Sequence, residues 1–170
     1  MNITLEPNNI SQLSLPDLVS HLIEKHTGGQ AFFDELDNCL ACENIFQQLT
    51  DKIYPERVID PFDNIICSGK FGEAFSKWYK ENYFIEPFKL PGSLRNNDIV
   101  SILIIAEHSE LHSKNFIFVD DSFYSGSTFR MINKLLEPVN SKIIQSFVVY
   151  DGSKEPPKNL QSLYRYYEHH

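Results

Sequence analysis

Asp120 and Asp121 stand side by side directly after the apolar run Phe116-Ile-Phe-Val119. Four residues further on comes Ser125-Gly-Ser-Thr128. Two adjacent carboxylates repel each other unless hydroxyl groups or a cation compensate them. A ribose diol or Mg²⁺ does so, because hard cations take oxygen ligands. Ser125, Ser127 and Thr128 bring hydroxyls that donate to phosphate oxygens. Gly126 permits a positive φ or a close backbone approach. These residue types, at this spacing, suit a sugar phosphate.

The surrounding chain supplies the elements that must position them. Phe116 to Val119 has the length and composition of a buried strand, with the acidic pair expected at its end. Ser122 to Thr128 reads as a polar turn. Met131, Ile132, Leu135 and Leu136 then form the packing face of a helix expected over 129–136 and closed by Pro138. In this order, exposed N–H groups and the positive end of the helix dipole gather over the carboxyl end of the strand. Open α/β sheets bind ligands in that place.

A second strand–turn–helix unit precedes it. Asn64-Ile-Ile-Cys67 reads as a buried strand and Ser68-Gly-Lys-Phe-Gly72 as a glycine-bearing turn carrying Lys70. Phe71, Ala74, Phe75, Trp78 and Tyr79 form a helical stripe. Further strands are expected over 84–88, 99–106 and 143–150. The core sheet then consists of strands near 64–67, 99–106, 116–120 and 143–149. The aromatic tail over 160–167 is expected to pack as a last helix, and no fifth core strand is evident. Towards the N-terminus, Ser14 and Asp17 make a capping-box-like pair opening a helix that Gly28-Gly29 stops. A second helix is expected over 32–53, ended by Pro55. Alternating strands and helices define an α/β class: an open, mainly parallel sheet with flanking helices and additional N-terminal helices. The 170 residues are expected to make one domain, with a helical portion over 1–55 and a core sheet over 60–152.

Two other pairs invite metal readings and do not support them. Cys39 and Cys42 fall one turn apart inside an expected helix, with no second Cys or His pair at metal spacing, and read as small buried residues. His108 and His112 flank Glu110 at the wrong position for a His-Glu-x-x-His site and have no third ligand, so they read as a polar loop or helical turn.

Composition narrows the class. The chain is 42% hydrophobic and 22% charged, which is ordinary for a globular protein. Its net charge of −8 disfavours nucleic acid as a partner and is compatible with a basic protein partner. No basic leader followed by an apolar run opens the chain, and no apolar stretch approaches a membrane span. Three cysteines, an odd number, point to a reducing compartment, so a cytoplasmic protein is expected.

Val119-Asp120-Asp121 followed by Ser125-Gly126-Ser127-Thr128 resembles the ribose-phosphate signature of the type I phosphoribosyltransferases. That signature is four apolar residues, two acidic residues, a few variable positions and Thr/Ser-Gly-x-Thr. The resemblance implies that Ser125, Gly126, Ser127 and Thr128, with Tyr124 beside them, hold the 5′-phosphate of phosphoribosyl pyrophosphate. It implies that Asp120 and Asp121 face the ribose hydroxyls as the catalytic and Mg²⁺-binding pair. The loop after the family's first core strand binds pyrophosphate, which assigns that contact to Ser68, Gly69 and Lys70. A mobile loop in the family supplies basic residues; Lys89 and Arg95 are the nearby ones here. Residues just past the strand at 143–150 often recognise the base, which singles out Tyr150 and Asp151. The chain departs from the purine-salvage pattern at Tyr124, where those members commonly carry an aspartate. A tyrosine with an ordinary pKa is a poor base at neutral pH, and its ring crowds the pocket.

Two functions are therefore expected. One is Mg²⁺-dependent transfer of the phosphoribosyl group to a nitrogen acceptor, on a protein that binds phosphoribosyl pyrophosphate or a nucleoside monophosphate. The alternative is a non-catalytic binding protein on the same fold, either a nucleotide-sensing regulator or an immunity or inhibitor protein for a toxin. A homodimer is compatible with both.

Overall fold

A computed structural model describes residues 43–90 and 107–165. The helix expected over 14–26, the strand expected over 99–106, Cys39, Cys42 and Arg95 lie outside these residues. So does the first part of the helix expected over 32–53.

The first described element is helix α1, Glu43–Ile53. Phe46 and Leu49 bury its apolar face, and the chain leaves the helix just ahead of Pro55, as expected. Strand β1, Asn64–Ser68, leads directly into helix α2, Gly69–Tyr83. Four of the five stripe residues expected on α2 are buried: Phe71, Phe75, Trp78 and Tyr79. The turn expected over Ser68 to Gly72 is shorter than anticipated. Ser68 is still extended and ends β1, Gly69 takes φ +70, and Lys70 to Gly72 lie within α2.

Strand β2, Phe88–Leu90, starts later than the expected 84–88. Phe84 is instead the left-handed C-cap of α2, and Pro87 has no N–H to give to a ladder. His108 to His112 forms a single turn of 3-10 helix at Ser109–Leu111, matching the polar turn expected there. Strand β3, Asn115–Phe123, helix α3, Ser127–Leu136, and strand β4, Lys142–Asp151, follow. Helix α3 begins two residues before the expected Phe129. The segment expected as a final helix is strand β5, Leu160–Arg165, so the sheet has a fifth strand and extends beyond residue 152.

Among the described residues the sheet order is β2-β1-β3-β4-β5, and every pairing is parallel. Strands covered on both faces read as nearly continuous apolar runs, as β1, β3 and β4 do. One face carries Ile65, Ile117, Val119, Phe147 and Val149 against Phe46, Leu49, Phe71 and Phe75 of α1 and α2. The other carries Ile66, Phe116, Phe118 and Ile143 against Ile132 and Leu136 of α3. Helix α2 leads outward to β2, and α3 leads the opposite way to β4. The strand order therefore reverses between β1 and β3. Among the described residues no helix is long and apolar enough to cross a membrane.

Candidate functional site at the carboxyl ends of β1 and β3

A cleft of about 420 Å³ opens at that reversal point. Ser68 to Phe71 form one wall, and Asp120 to Phe129 form the floor and opposite wall. The structure thus brings Ser68, Gly69, Lys70, Asp120, Asp121, Tyr124, Ser125, Gly126, Ser127 and Thr128 to one place. In open α/β sheets the crevice at the switch point is the ligand site.

The floor follows from unequal strand pairing. Strand β1 accompanies β3 only as far as Cys67 opposite Val119, whereas β4 stays with it to Asp151 opposite Phe123. Residues 120–123 therefore overhang β1. The acidic pair lies inside β3 rather than at its end, because pairing with β4 carries the strand four residues further than its apolar run. Each carboxylate ties down the backbone that follows it. Asp120 Oδ1 accepts the Asp121 N–H at 2.9 Å, and Asp121 Oδ1 accepts the Ser122 N–H at 2.7 Å. Asp120 is buried and Asp121 half-buried.

Both walls begin with a helix N-terminus. Helix α3 starts after Gly126, which has φ +74, and α2 starts after Ser68. Neither N-cap makes a side-chain hydrogen bond, and neither helix has an acidic residue in its first turn. The leading N–H groups and the dipole of each helix thus meet no carboxylate of their own. Gly126 is required by contact as well as by φ: a Cβ there would lie 2.8 Å from Phe123 Cζ. Arg130 braces the loop by donating from Nη1 to the Ser125 carbonyl at 2.6 Å. Lys70 is exposed at the rim.

Cys67 lies under this junction, fully buried, with its thiol hydrogen-bonded to the carbonyls of Gly72 and Phe88. Burial foremost, then the negative charge of Asp120, push it up to about 12, against the opposing pull of Lys89. Lys89, exposed on β2, pairs in register with Cys67. It stands near the cleft without lining it.

The β4 side is different in kind. The Tyr124 ring meets Tyr150 edge-on at 5.5 Å, and Tyr150 stacks on Tyr164 of β5 at 5.8 Å. Burial, then Tyr150, push the Tyr124 phenol above its ordinary value, so at neutral pH it is not a base. Asp151 is tied into the fold. Its Oδ1 accepts the Ser153 N–H and hydroxyl, and its Oδ2 lies 3.3 Å from Arg165 Nε. Sequence reasoning missed Arg165 and Tyr164, both on the strand that it read as a helix.

The acidic pair offers a cation carboxylate oxygens only. Both carboxylates line the cleft, and no group of three or more His, Cys, Asp or Glu suited to a metal occurs among the described residues. Mg²⁺ is commonly bound by one or two carboxylates plus the phosphates of a ligand. The pair fits a cation carried in with its ligand and does not form a self-sufficient cage.

No family model matches the sequence, and no curated protein matches it. Solved structures do. A hypothetical protein from Neisseria gonorrhoeae with bound ppGpp is 16% identical, with TM-score 0.51 over 80% of this chain and 81% of that one. Adenine phosphoribosyltransferase from Thermoanaerobacter pseudethanolicus is 14% identical, with TM-score 0.47 over 75% of this chain and 84% of that one. An HGPRT-ase from Leishmania tarentolae in complex with GMP is 10% identical, with TM-score 0.45 over 79% of this chain and 78% of that one. At such identities the likeness is one of fold. The open parallel sheet, its helices on both faces and its cleft at the strand reversal give this chain a type I phosphoribosyltransferase-like fold.

Proposed function

We propose that the cleft binds a ribose phosphate, either phosphoribosyl pyrophosphate or a nucleoside monophosphate, together with Mg²⁺. The observation that carries this reading is the convergence of two uncapped helix N-termini on one acidic floor. Ser125, Gly126, Ser127 and Thr128 hold the 5′-phosphate with backbone N–H groups and hydroxyls. Ser68, Gly69 and Lys70 receive a second phosphate-bearing group on the opposite wall. Asp120 and Asp121 accept from the ribose hydroxyls and hold the cation. Mg²⁺, when bound, neutralises charge on the phosphates. The reaction that this arrangement serves is transfer of the phosphoribosyl group to a nitrogen acceptor, with pyrophosphate leaving. The chain's contribution is to orient the donor and to stabilise the departing group with N–H dipoles and Lys70.

A second reading has its own support. The Tyr124 phenol is held neutral against Tyr150, so no acid–base group stands next to the Ser-Gly motif. A nucleotide-sensing regulator or an acidic immunity or inhibitor protein needs none. The ppGpp bound to the Neisseria gonorrhoeae protein of similar fold accords with nucleotide sensing.

Calorimetric titration of phosphoribosyl pyrophosphate with Mg²⁺ tests the common ground. Asp120→Asn/Asp121→Asn is the informative variant, because asparagine keeps an Oδ1 acceptor for both backbone amides. Micromolar binding to the wild type that this variant loses is the expected result. Equal binding by both proteins would remove the acidic pair from the site. Pyrophosphate release in the presence of nitrogen nucleophiles then separates an enzyme from a sensor.

A further inference from the structure

We propose that Tyr124 determines the specificity of the cleft: its fixed ring closes the β4 side to a nucleobase. The cleft therefore prefers a ribose carrying phosphate groups at both ends over a nucleoside monophosphate. This inference rests on the proposed ribose-phosphate site and narrows its ligand.

Two features hold the ring. From below, the Phe123 carbonyl accepts the Gly152 N–H at 2.9 Å, which brings the Gly152 backbone under Tyr124. A Cβ at residue 152 would lie 2.6 Å from Tyr124 Cε1 and 2.9 Å from Cδ1, so the ring rests on bare backbone. From the side, Tyr150 meets it edge-on, shares a hydrogen bond with its phenol, and is itself backed by Tyr164. A ring seated on backbone and braced by a second ring does not swing aside at small cost, since close-packed neighbours would have to move with it.

The same side offers little hydrogen-bonding recognition. Asp151, the carboxylate ending β4, is 2% exposed and committed to Ser153 and Arg165. A base placed there would lose water contacts without gaining Asp151 as a hydrogen-bond partner. The opposite wall has the N-terminus of α2 and the exposed Lys70, which favour an anionic group. A substituent on the ribose is thus best accommodated when it is phosphorylated and directed towards β1.

Titrations with Mg²⁺ and four probes test this: phosphoribosyl pyrophosphate, ribose 5-phosphate, AMP and UMP. The wild type is expected to bind phosphoribosyl pyrophosphate at least about tenfold more tightly than either nucleotide, the ratio that a modest steric penalty produces. Tyr124→Ala opens the wall and raises nucleotide affinity relative to the diphosphate. Tyr124→Phe, which keeps the ring, keeps the wild-type preference. AMP or UMP binding to the wild type as tightly as phosphoribosyl pyrophosphate overturns the proposal without any variant. So does a folded Tyr124→Ala protein whose ratio does not move. If none of the four probes binds the wild type, the ribose-phosphate site itself is wrong and the specificity claim falls with it.

Discussion

Replacing Asp151 separates a structural carboxylate from a ligand-reading one. Its position just past a core strand made it a candidate for base recognition, yet its partners in the structure belong to the fold. Oδ1 accepts the Ser153 N–H at 2.9 Å and the Ser153 hydroxyl at 2.6 Å, both buried. Hydrogen bonds to a charged group contribute about 1.5–3 kcal/mol each. The Arg165 side chain is 46% exposed, so its ion pair with Oδ2 adds no more than about 1 kcal/mol after solvent screening. Asp151→Ala leaves a buried amide without its acceptor and is expected to cost about 3–5 kcal/mol. Asp151→Asn keeps an oxygen for Ser153, loses the ion pair, and is expected to cost about 1–2 kcal/mol. With a urea slope of about 2 kcal/mol per M, the alanine variant should lower the unfolding midpoint by about 1.5–2.5 M. Fully folded samples of both variants should still bind phosphoribosyl pyrophosphate. An alanine variant that loses under about 1 kcal/mol of stability but tenfold or more in affinity would refute this reasoning. Asp151 would then touch the ligand.

Two further outcomes follow from the same geometry. Gly126→Ala forces a left-handed alanine, at about 1–2 kcal/mol, and a contact with Phe123 that adds about 1–3 kcal/mol. Differential scanning fluorimetry should show Tm lowered by roughly 5–15 °C, and calorimetry should show weaker binding. The Cys67 thiol stands at about 12 in the folded chain against an ordinary 9.0. The unfolded thiol loses its proton first, so the stability that it contributes is complete below pH 9 and is lost as pH rises towards 12. The slope reaches about 1.4 kcal/mol per pH unit. Urea midpoints between pH 8 and 10.5 should fall less steeply in Cys67→Ala; an unchanged slope would show that other groups carry the alkaline loss.

The side of the cleft formed by residues 116–128 was legible because its signals are local. Phe116 to Val119 is an apolar run, the acidic pair is adjacent to it, and Ser125 to Thr128 is contiguous with the helix that it caps. The same holds for β1 and α2, although Gly69 alone makes the turn that five residues were expected to form. The far side was illegible for an identifiable reason. Leu160, Leu163, Tyr164 and Tyr167 fall at helical spacing, so the segment imitates an amphipathic helix. As an edge strand it is only half-buried and lacks the continuous apolar run of its neighbours. Leu163 packs towards one cluster while Tyr164 stacks on Tyr150, a division that a period of two explains. Likewise, Pro87 and the left-handed Phe84 break the apolar segment that had been read as β2.

The placement of the site follows from the strand order. Right-handed crossovers leaving β1 and β3 in opposite directions put α2 and α3 on opposite faces of the sheet. Their N-termini then flank the crevice between β1 and β3, the switch point where open sheets bind ligands. Two short junctions, at residues 68–70 and 124–128, thereby supply both walls, and the overhang of β3 past Val119 supplies an acidic floor between them. Phosphate binding at such a place needs only the junctions themselves. Discrimination needs something that the junctions lack, and here it comes from β4 and β5, whose Tyr150 and Tyr164 hold Tyr124 in place. On this reasoning, a change that loosens β5, such as removal of the Tyr164 ring, should alter which ribose phosphate is preferred before it abolishes phosphate binding.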